Sequence, residues 1–385
     1  MKIGILTFHR PVNYGAYLQA FSLSSKLGSL FPHDTVEIID YVPPLENRKV
    51  YLNILRTFKR HGINEGIRSW EKTKTFFKAQ SLLPLSEKKM VTGDLGSLYK
   101  YISSNYDRLV IGSDAVFNWN QTGFPTAFIP DNDFGIPVVS YAASVHGLKY
   151  REISSTQKEY CKRAFSNMKI IGVRDSATEE FVHYCSPESQ PIHCCDPTVF
   201  IDIDKVHKCA GDYKQRVLKK YNIDLSKPYI IFMAPESELL HRVYEKYKTN
   251  YNIYSVFVNS GVCDGFLYDL NPFEWACVLG DASAVITRYF HGTLLSLVQE
   301  TPTVVLDYSG FNEGYVPKYL DLLNDRFGLP EFYYKKSFAI SFNDEEDFYD
   351  QFNNMLSGSF QKAIHNSVLK ERKSMDCFME KFKEL

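Results

Sequence analysis

Apolar positions along this chain fall into short continuous runs separated by stretches with helical spacing. Ile3 to Phe8 is apolar, Tyr17 to Leu30 repeats apolar residues at helical intervals, and Val36 to Val42 is apolar again, which predicts a strand-helix-strand unit. The alternation continues with strands at Arg108 to Ser113 and Val138 to Ser144, a helix from Thr156 to Met168 and a strand at Lys169 to Val173. After a polar helical stretch ending near Lys227 a second series follows. Its strands are expected at Tyr229 to Met233, Ile253 to Val258, Ala284 to Thr287 and Thr303 to Asp307, and its helices at Glu236 to Tyr247, Pro272 to Leu279 and Thr293 to Gln299. Continuous apolar strands alternating with helices predict α/β architecture with parallel sheets covered on both faces.

With 385 residues the chain exceeds the roughly 250–300 residues at which single cores stop growing. The expected organisation is an N-terminal Rossmann-like domain over 1–200, a second over 201–335, a cleft between them, and a C-terminal helical segment over 336–385 packing back on the domains. Its apolar positions are Phe348, Phe352, Met355, Val368 and Phe378. A helical basic insertion spans about 46–100. Its core, Glu46 to Lys89, sets an excess of cations among Tyr51, Leu55, Phe58, Trp70, Phe76 and Phe77. That pattern suits either a surface for anionic lipid or a solvated helical subdomain whose aromatics face the core, and the second is the preferred reading.

A formal charge of −1 offers no field for a polyanion, so nucleic acid is not an expected partner. The opening MKIGILTFHR is too short for a secretory signal, and no run approaches the ~20 apolar residues of a membrane span. A cytoplasmic protein is expected, with contact at the inner face of the cell membrane as the variant allowed by the basic insertion. Eight cysteines are thinly spread. The group His193-Cys194-Cys195-Asp196 sits in an expected strand whose neighbours point to opposite faces, so reduced thiols are expected rather than a metal site.

Ligands of open α/β sheets bind beyond the carboxyl ends of strands, which directs attention to strand-to-helix turns. In Thr287 to Thr293, TRYFHGT, Gly292 permits close backbone approach and Thr293 is placed to cap a helix. Arg288 and His291 accompany amide groups that favour an anion. In GVRDSAT, Arg174 ends a strand. In VIGSDAVFN, Ser113 and Asp114 do so, and the carboxylate can accept a proton from a hydroxyl. In NYGAYLQA, Asn13, Tyr14 and Gly15 open the first helix. Asp131-Asn132-Asp133 and Asp202-Ile203-Asp204 have the DxD form that binds metal in some glycosyltransferases, a triplet common by chance. GxGxxG, Walker A, GxSxG and HExxH patterns do not occur, which argues against ordinary dinucleotide binding, P-loop ATPases, serine hydrolases and zincins.

These turns, taken in order with SYAAS at Ser140 to Ser144, CDPT at Cys195 to Thr198 and ITRYFHGTLLSLVQETPTVVLDY, resemble the polysaccharide pyruvyltransferase family over about residues 1 to 308. The resemblance implies a GT-B-like pair of Rossmann-like domains. It also implies transfer of pyruvate from phosphoenolpyruvate to two hydroxyls of a sugar as a ketal, in cell-surface polysaccharide synthesis. Carried over by position, Arg174, Arg288 and His291 become the groups that hold phosphoenolpyruvate. The chemistry of ketal formation, which needs an acid and a base, makes His291 the expected acid or phosphate anchor and Asp114 the expected acceptor contact or base. Arg174, Arg288, Phe290, Gly292 and Thr293 bind the donor, and Asn13, Tyr14, Gly15, Ser113 and Asp114 bind the acceptor, which is lipid-linked in one version. No metal or cofactor is expected, phosphoenolpyruvate being a co-substrate. The chain departs from the family pattern where Tyr289 stands two positions before His291 in place of arginine, and where Ala115 and Phe117 replace an amide and an indole. A GT-B glycosyltransferase using a nucleotide sugar, and a non-catalytic protein of a polysaccharide assembly complex, are the alternatives.

Overall fold

A computed structural model describes residues 1–307, 318–335 and 342–385. The chain divides into two compact units, the first made of residues 1–70, 77–201 and 372–385 and the second of 71–76 and 202–371. Tyr308, the last residue of the longest motif, and 336–341, the opening of the expected C-terminal segment, lie outside the described residues.

The first unit holds β1 (Lys2–Leu6), β2 (Thr35–Ile38), a short separate pair of β3 (Tyr41–Val42) with β4 (Met90–Val91), and then β5 (Arg108–Ile111), β6 (Val138–Ala143), β7 (Ile170–Val173) and β8 (Ile192–His193). Its main sheet is parallel throughout, in the order β2-β1-β5-β6-β7-β8, with Ile5 opposite both Ile38 and Val110. Ile3, Ile5, Ile38, Leu109 and Ile111 have no exposed surface, and a one-residue slip would exchange each with the neighbour packed on the opposite face of the sheet. Several of its helices start at side-chain caps. Asn13 caps Tyr14–Leu30, Ser154 and Gln157 form a capping box on Ser155–Asn167, and Asp175 caps Ser176–Cys185.

The second unit holds β9 (Tyr229–Met233), β10 (Asn252–Val256), β11 (Gly265–Leu267), β12 (Ala284–Thr287), β13 (Thr303–Asp307) and β14 (Tyr333–Lys335), parallel in the order β11-β10-β9-β12-β13-β14. Counted within the unit this is 3-2-1-4-5-6, the doubly wound dinucleotide-fold order, whereas the first unit runs 2-1-3-4-5-6. Each sheet therefore has one point where the winding reverses, between β1 and β5 in the first and between β9 and β12 in the second. Crevices open at the carboxyl ends of such strand pairs.

Helices at Phe342–Leu356 and Gln361–Glu384 follow, and Phe348, Phe352, Met355, Val368 and Phe378 are all buried. The last helix serves both units, since residues 361–371 belong to the second and 372–385 to the first. In the first unit Phe378 meets Tyr141 edge-on at 4.9 Å, Phe382 meets Phe31 at 5.6 Å, and Arg108 Nη1 donates to the Phe382 carbonyl at 2.8 Å.

Two expectations need correction. The insertion forms helices at Pro44–His61 and Ile63–Ala79, yet only Phe76 of its aromatics is fully buried; Tyr51, Phe58 and Trp70 are exposed, as is Leu55. The strand expected at His193 to Asp196 stops at His193, because Asp196 turns to cap the short helix Pro197–Phe200. His193 contacts Glu179 at 2.6 Å, Cys194 Sγ donates to the Ile192 carbonyl at 3.6 Å, Cys195 lies against Tyr141 Oη, and Asp196 meets Arg174, so the four side chains have separate partners. None of the eight cysteines is in a disulfide.

Candidate functional site

The first reversal point is built from three strand ends. Thr7 to Pro11 leave β1, Asp40 follows β2 and Asp114 follows β5. Thr7 to Pro11, Asn13 and Asp114 line a cavity of about 90 Å³, and Asp40 is buried against His9 and Arg10. A buried ionic knot forms one wall. Arg10 donates through Nε to Asp40 Oδ1 at 2.8 Å and through Nη2 to Oδ2, His9 Nε2 lies 3.1 Å from the same Oδ1, and His9 Nδ1 lies 3.2 Å from the Thr7 carbonyl. Burial pushes the Asp40 carboxyl up, but hydrogen bonds from His9 and Arg10 and their charge outweigh it and bring it to about 2. Gln80 Nε2 donates to the His9 carbonyl at 2.7 Å, fixing the loop from below.

Asp114 takes a left-handed backbone, φ 75°, which an aspartate tolerates better than most residues. Its carbonyl accepts from Val116 N at 2.7 Å and Ser144 N at 2.8 Å, tying the turn after β5 to the end of β6. Its carboxylate lies 3.5 Å from Arg174 Nη1. Arg174 is buried at the end of β7 and also reaches Asp196 Oδ2 at 3.2 Å and Asp175 Oδ2 at 3.9 Å. Burial works against the guanidinium charge, and the three carboxylates more than restore it. Gln19 Nε2 donates to Asp196 Oδ2 at 2.6 Å. One cation thus faces three formal negative charges, and this end of the sheet is formally anionic.

The second reversal point carries the TRYFHGT turn. Arg288 follows β12, its amide bonded to the Met233 carbonyl at the end of β9 at 3.1 Å. The helix begins at Phe290, one turn earlier than expected, with Tyr289 in the cap position. Thr293 is therefore not the cap: it is buried in the first turn, its hydroxyl donating to the Tyr289 carbonyl at 3.2 Å. Thr287 Oγ1 accepts from Tyr289 N at 3.0 Å. A Cβ on Gly292 would lie 2.9 Å from that oxygen and 3.6 Å from Met233 Sδ, so a methyl there would have to displace the Thr287 hydroxyl. Phe290 is buried against Tyr319 and His291, and the Tyr319 hydroxyl donates to the Arg288 carbonyl. Arg288 and Tyr289 are exposed and His291 is half-buried beside the helix N-terminus, a place where amide groups and the helix dipole favour an anion.

A family model for polysaccharide pyruvyl transferase matches residues 13–310. The chain belongs to that family. Among curated proteins, none matches the sequence significantly. Solved structures with the same fold include the Listeria monocytogenes protein assigned as a UDP-N-acetylglucosamine 2-epimerase (TM-score 0.52, 10% identity, 100% of this chain and 97% of the other). The UDP-GlcNAc 2-epimerase of Methanocaldococcus jannaschii is similar at TM-score 0.51 and 9% identity, over 92% of this chain and 93% of the other. The Neisseria meningitidis enzyme, solved with UDP-GlcNAc, is similar at 0.50 and 9% over the full length of both chains. At these identities the likeness is one of fold, the two Rossmann-like sheets of the GT-B class.

Within this pyruvyl transferase family member, Asn13 and Asp114 line the first-unit cavity. Tyr14, Gly15 and Ser113, expected beside them, are buried and are not among its lining residues. Asn13 also caps the first helix, Oδ1 accepting from Ala16 N at 3.2 Å. The second unit groups Arg288 and His291, while Phe290, Gly292 and Thr293 are packed beneath them. Of the DxD triplets, Asp202 is a helix cap for Lys205 N, and Asp131 pairs with Arg163 at 3.0 Å. The residues the sequence reading missed are His9, Arg10 and Asp40. Their signal was position: a His-Arg pair directly after the first strand and an aspartate directly after the second.

Proposed function

We propose that this transferase moves the enolpyruvyl unit of phosphoenolpyruvate onto two hydroxyls of a sugar, forming a pyruvate ketal. The observation that carries the reading is a difference in charge between the two reversal points of a pyruvyl transferase family chain. The second offers Arg288, His291 and a helix N-terminus, which suits a carboxylate and a phosphate. The first has three carboxylates around the single guanidinium of Arg174. One of them, Asp114, lines a small cavity beside His9 and an Arg10 already paired with Asp40, a setting that suits a neutral polyol and disfavours a trianion. The donor role expected of Arg174 is not carried forward, since its guanidinium is committed to three aspartates. It is a positioning residue for Asp114.

In the proposed reaction C3 of the enol receives a proton and becomes the methyl group. The electron-poor C2 bonds the first sugar oxygen, whose proton leaves to a base, and the C2–O bond to phosphate breaks as the second sugar oxygen bonds C2. One phosphate leaves, and both hydroxyl protons are accounted for by the methyl group and the departing phosphate. Asp114 serves as the base toward the acceptor hydroxyl and His291 as the acid or phosphate anchor.

The experiment is direct. The protein is incubated with phosphoenolpyruvate and a panel of sugar acceptors, and phosphate release and ketal product are followed; both should require both substrates. In parallel, thermal shift is read with phosphoenolpyruvate and with nucleotide sugars, because a ligand of the native state raises apparent stability. Stabilisation and turnover with a nucleotide sugar alone would replace this reading by glycosyl transfer.

A further inference from the structure

The helical hairpin of Pro44–His61 and Ile63–Ala79 has a surface that the rest of the molecule does not explain. Of the fourteen exposed large hydrophobic side chains among the described residues, seven lie between Tyr51 and Trp70. They are not scattered. Tyr51, Leu55 and Phe58, with Leu52 beside them, follow one face of the first helix, and Ile63, Ile67 and Trp70 follow one face of the second at i, i+4 and i+7. Ile54, Thr73 and Phe76 supply the inward faces.

The hairpin is built rather than frayed. A Cβ on Gly66 would lie 2.1 Å from the Phe58 ring, so the two helices meet at a residue with no side chain. The outward apolar stripes are therefore held in place.

Charge identifies what covers them. Residues 44–79 carry nine Lys and Arg against three Glu, a formal +6 on a chain whose total is −1, which leaves −7 for the remainder. At 3.6 residues per turn Arg48 and Lys59 fall within the apolar stripe of the first helix, while Lys49, Arg56 and Arg60 border it, all of them exposed. Exposed aromatic and aliphatic side chains bordered by cations are the surface of a helix lying in the interface of an anionic bilayer. A second copy of the hairpin is the wrong occupant, because it would bring two +6 segments together.

We propose that this hairpin docks on anionic phospholipid bilayers, with Tyr51, Leu55, Ile63, Ile67 and Trp70 entering the headgroup region and the flanking cations meeting lipid phosphates. The docking does not depend on the donor chemistry. It does connect to it, for at the root of the hairpin a cavity of about 330 Å³ is lined by Tyr51, Phe77 and Lys89 together with Arg10, Pro11 and Val42, the last three shared with the cavity of Asp114. On the pyruvyl-transfer reading this continuity fits a sugar acceptor carried on a membrane lipid.

The test is co-sedimentation of the full chain with vesicles of phosphatidylcholine alone and of phosphatidylcholine with phosphatidylglycerol. Binding is expected only with phosphatidylglycerol, and it should weaken steeply when salt is raised from roughly 0.1 M to 0.5 M as the screening length contracts. Two variants are compared, Leu55→Ser/Trp70→Ser and Lys59→Glu/Arg60→Glu, each checked for an unchanged circular dichroism melt. With about fivefold in affinity per surface cation, the charge reversal should lower partitioning roughly thirtyfold or more. Absence of vesicle binding, equal binding to phosphatidylcholine alone, or binding untouched by both variants would overturn the proposal. So would a concentration-dependent dimer abolished by Leu55→Ser in a protein that ignores vesicles. Failure of the turnover assay with intact vesicle binding would leave the docking standing and remove only the chemistry.

Discussion

Arg174 and Asp114 sit on turns after different strands, sixty residues apart, with Nη1 of the one 3.5 Å from Oδ1 of the other. The pair does more than cancel charge. It holds a carboxylate with left-handed backbone at the rim of a cavity, and the guanidinium is anchored from behind by Asp196. Removing the cation would leave three carboxylates facing one another. Arg174→Ala is therefore expected to cost about 3–5 kcal/mol, the usual result of stranding buried charges. Arg174→Met combined with Asp196→Asn should cost less than the sum of the two single changes. Urea denaturation of the three variants measures this, and strict additivity would contradict the coupling.

Kinetics separate the two proposed roles. His291→Ala should lower turnover roughly a hundredfold or more and weaken phosphoenolpyruvate binding, because an acid or phosphate anchor acts on the donor. Asp114→Asn should lower kcat by a similar factor while leaving phosphoenolpyruvate binding near its original value. Donor affinity from calorimetry and kcat from phosphate release distinguish the outcomes, and equal donor binding in both variants would argue against the division of labour.

Acid stability should carry the mark of Asp40. Its carboxyl is held at about 2 in the folded chain against 3.8 as the ordinary value, so the native state binds the proton more weakly than the unfolded one. The stabilisation is present above about pH 4 and is lost as pH falls toward 2, with a total of about 2 kcal/mol for this buried group. The stability difference between the parent and Asp40→Asn should accordingly narrow across that window. A difference constant from pH 5 to pH 2 would show that the knot with His9 and Arg10 is not what holds the carboxyl down.

Gly292→Ala tests the packing under the anion turn. The new methyl would press on Thr287 Oγ1, which is engaged by Tyr289 N and cannot swing away freely. A loss of about 1–3 kcal/mol is expected, as for other overpacked sites. Adding Thr287→Ala should recover part of it by vacating the space. Thermal unfolding of the single and double variants decides the matter.

Much of the scaffold was legible in the sequence for a simple reason. Parallel strands buried on both faces are continuous apolar runs, so Tyr229–Met233, Ala284–Thr287 and Thr303–Asp307 have the limits the pattern predicts. The TRYFHGT turn was legible too, because its strand, turn and helix are adjacent in sequence. What was not legible depended on strand order. His9, Arg10 and Asp40 meet because β1 and β2 are neighbours, and Arg174 meets Asp196 because β7 and β8 are. No spacing rule along the chain reports those pairings. The insertion was misjudged for a related reason, since helical periodicity marks an apolar face without saying whether anything covers it.

The last helix gives the first unit a constraint in time. Residues 1–201 emerge from the ribosome early, but Phe378 and Phe382, which pack on Tyr141 and Phe31, are made some 180 positions later. A nascent chain that has completed every strand of the first sheet still lacks the segment that seals its face. Co-translational folding of that sheet stays provisional until residues 372–385 are free of the exit tunnel, and during that interval its uncovered apolar side is the natural place for a chaperone to bind.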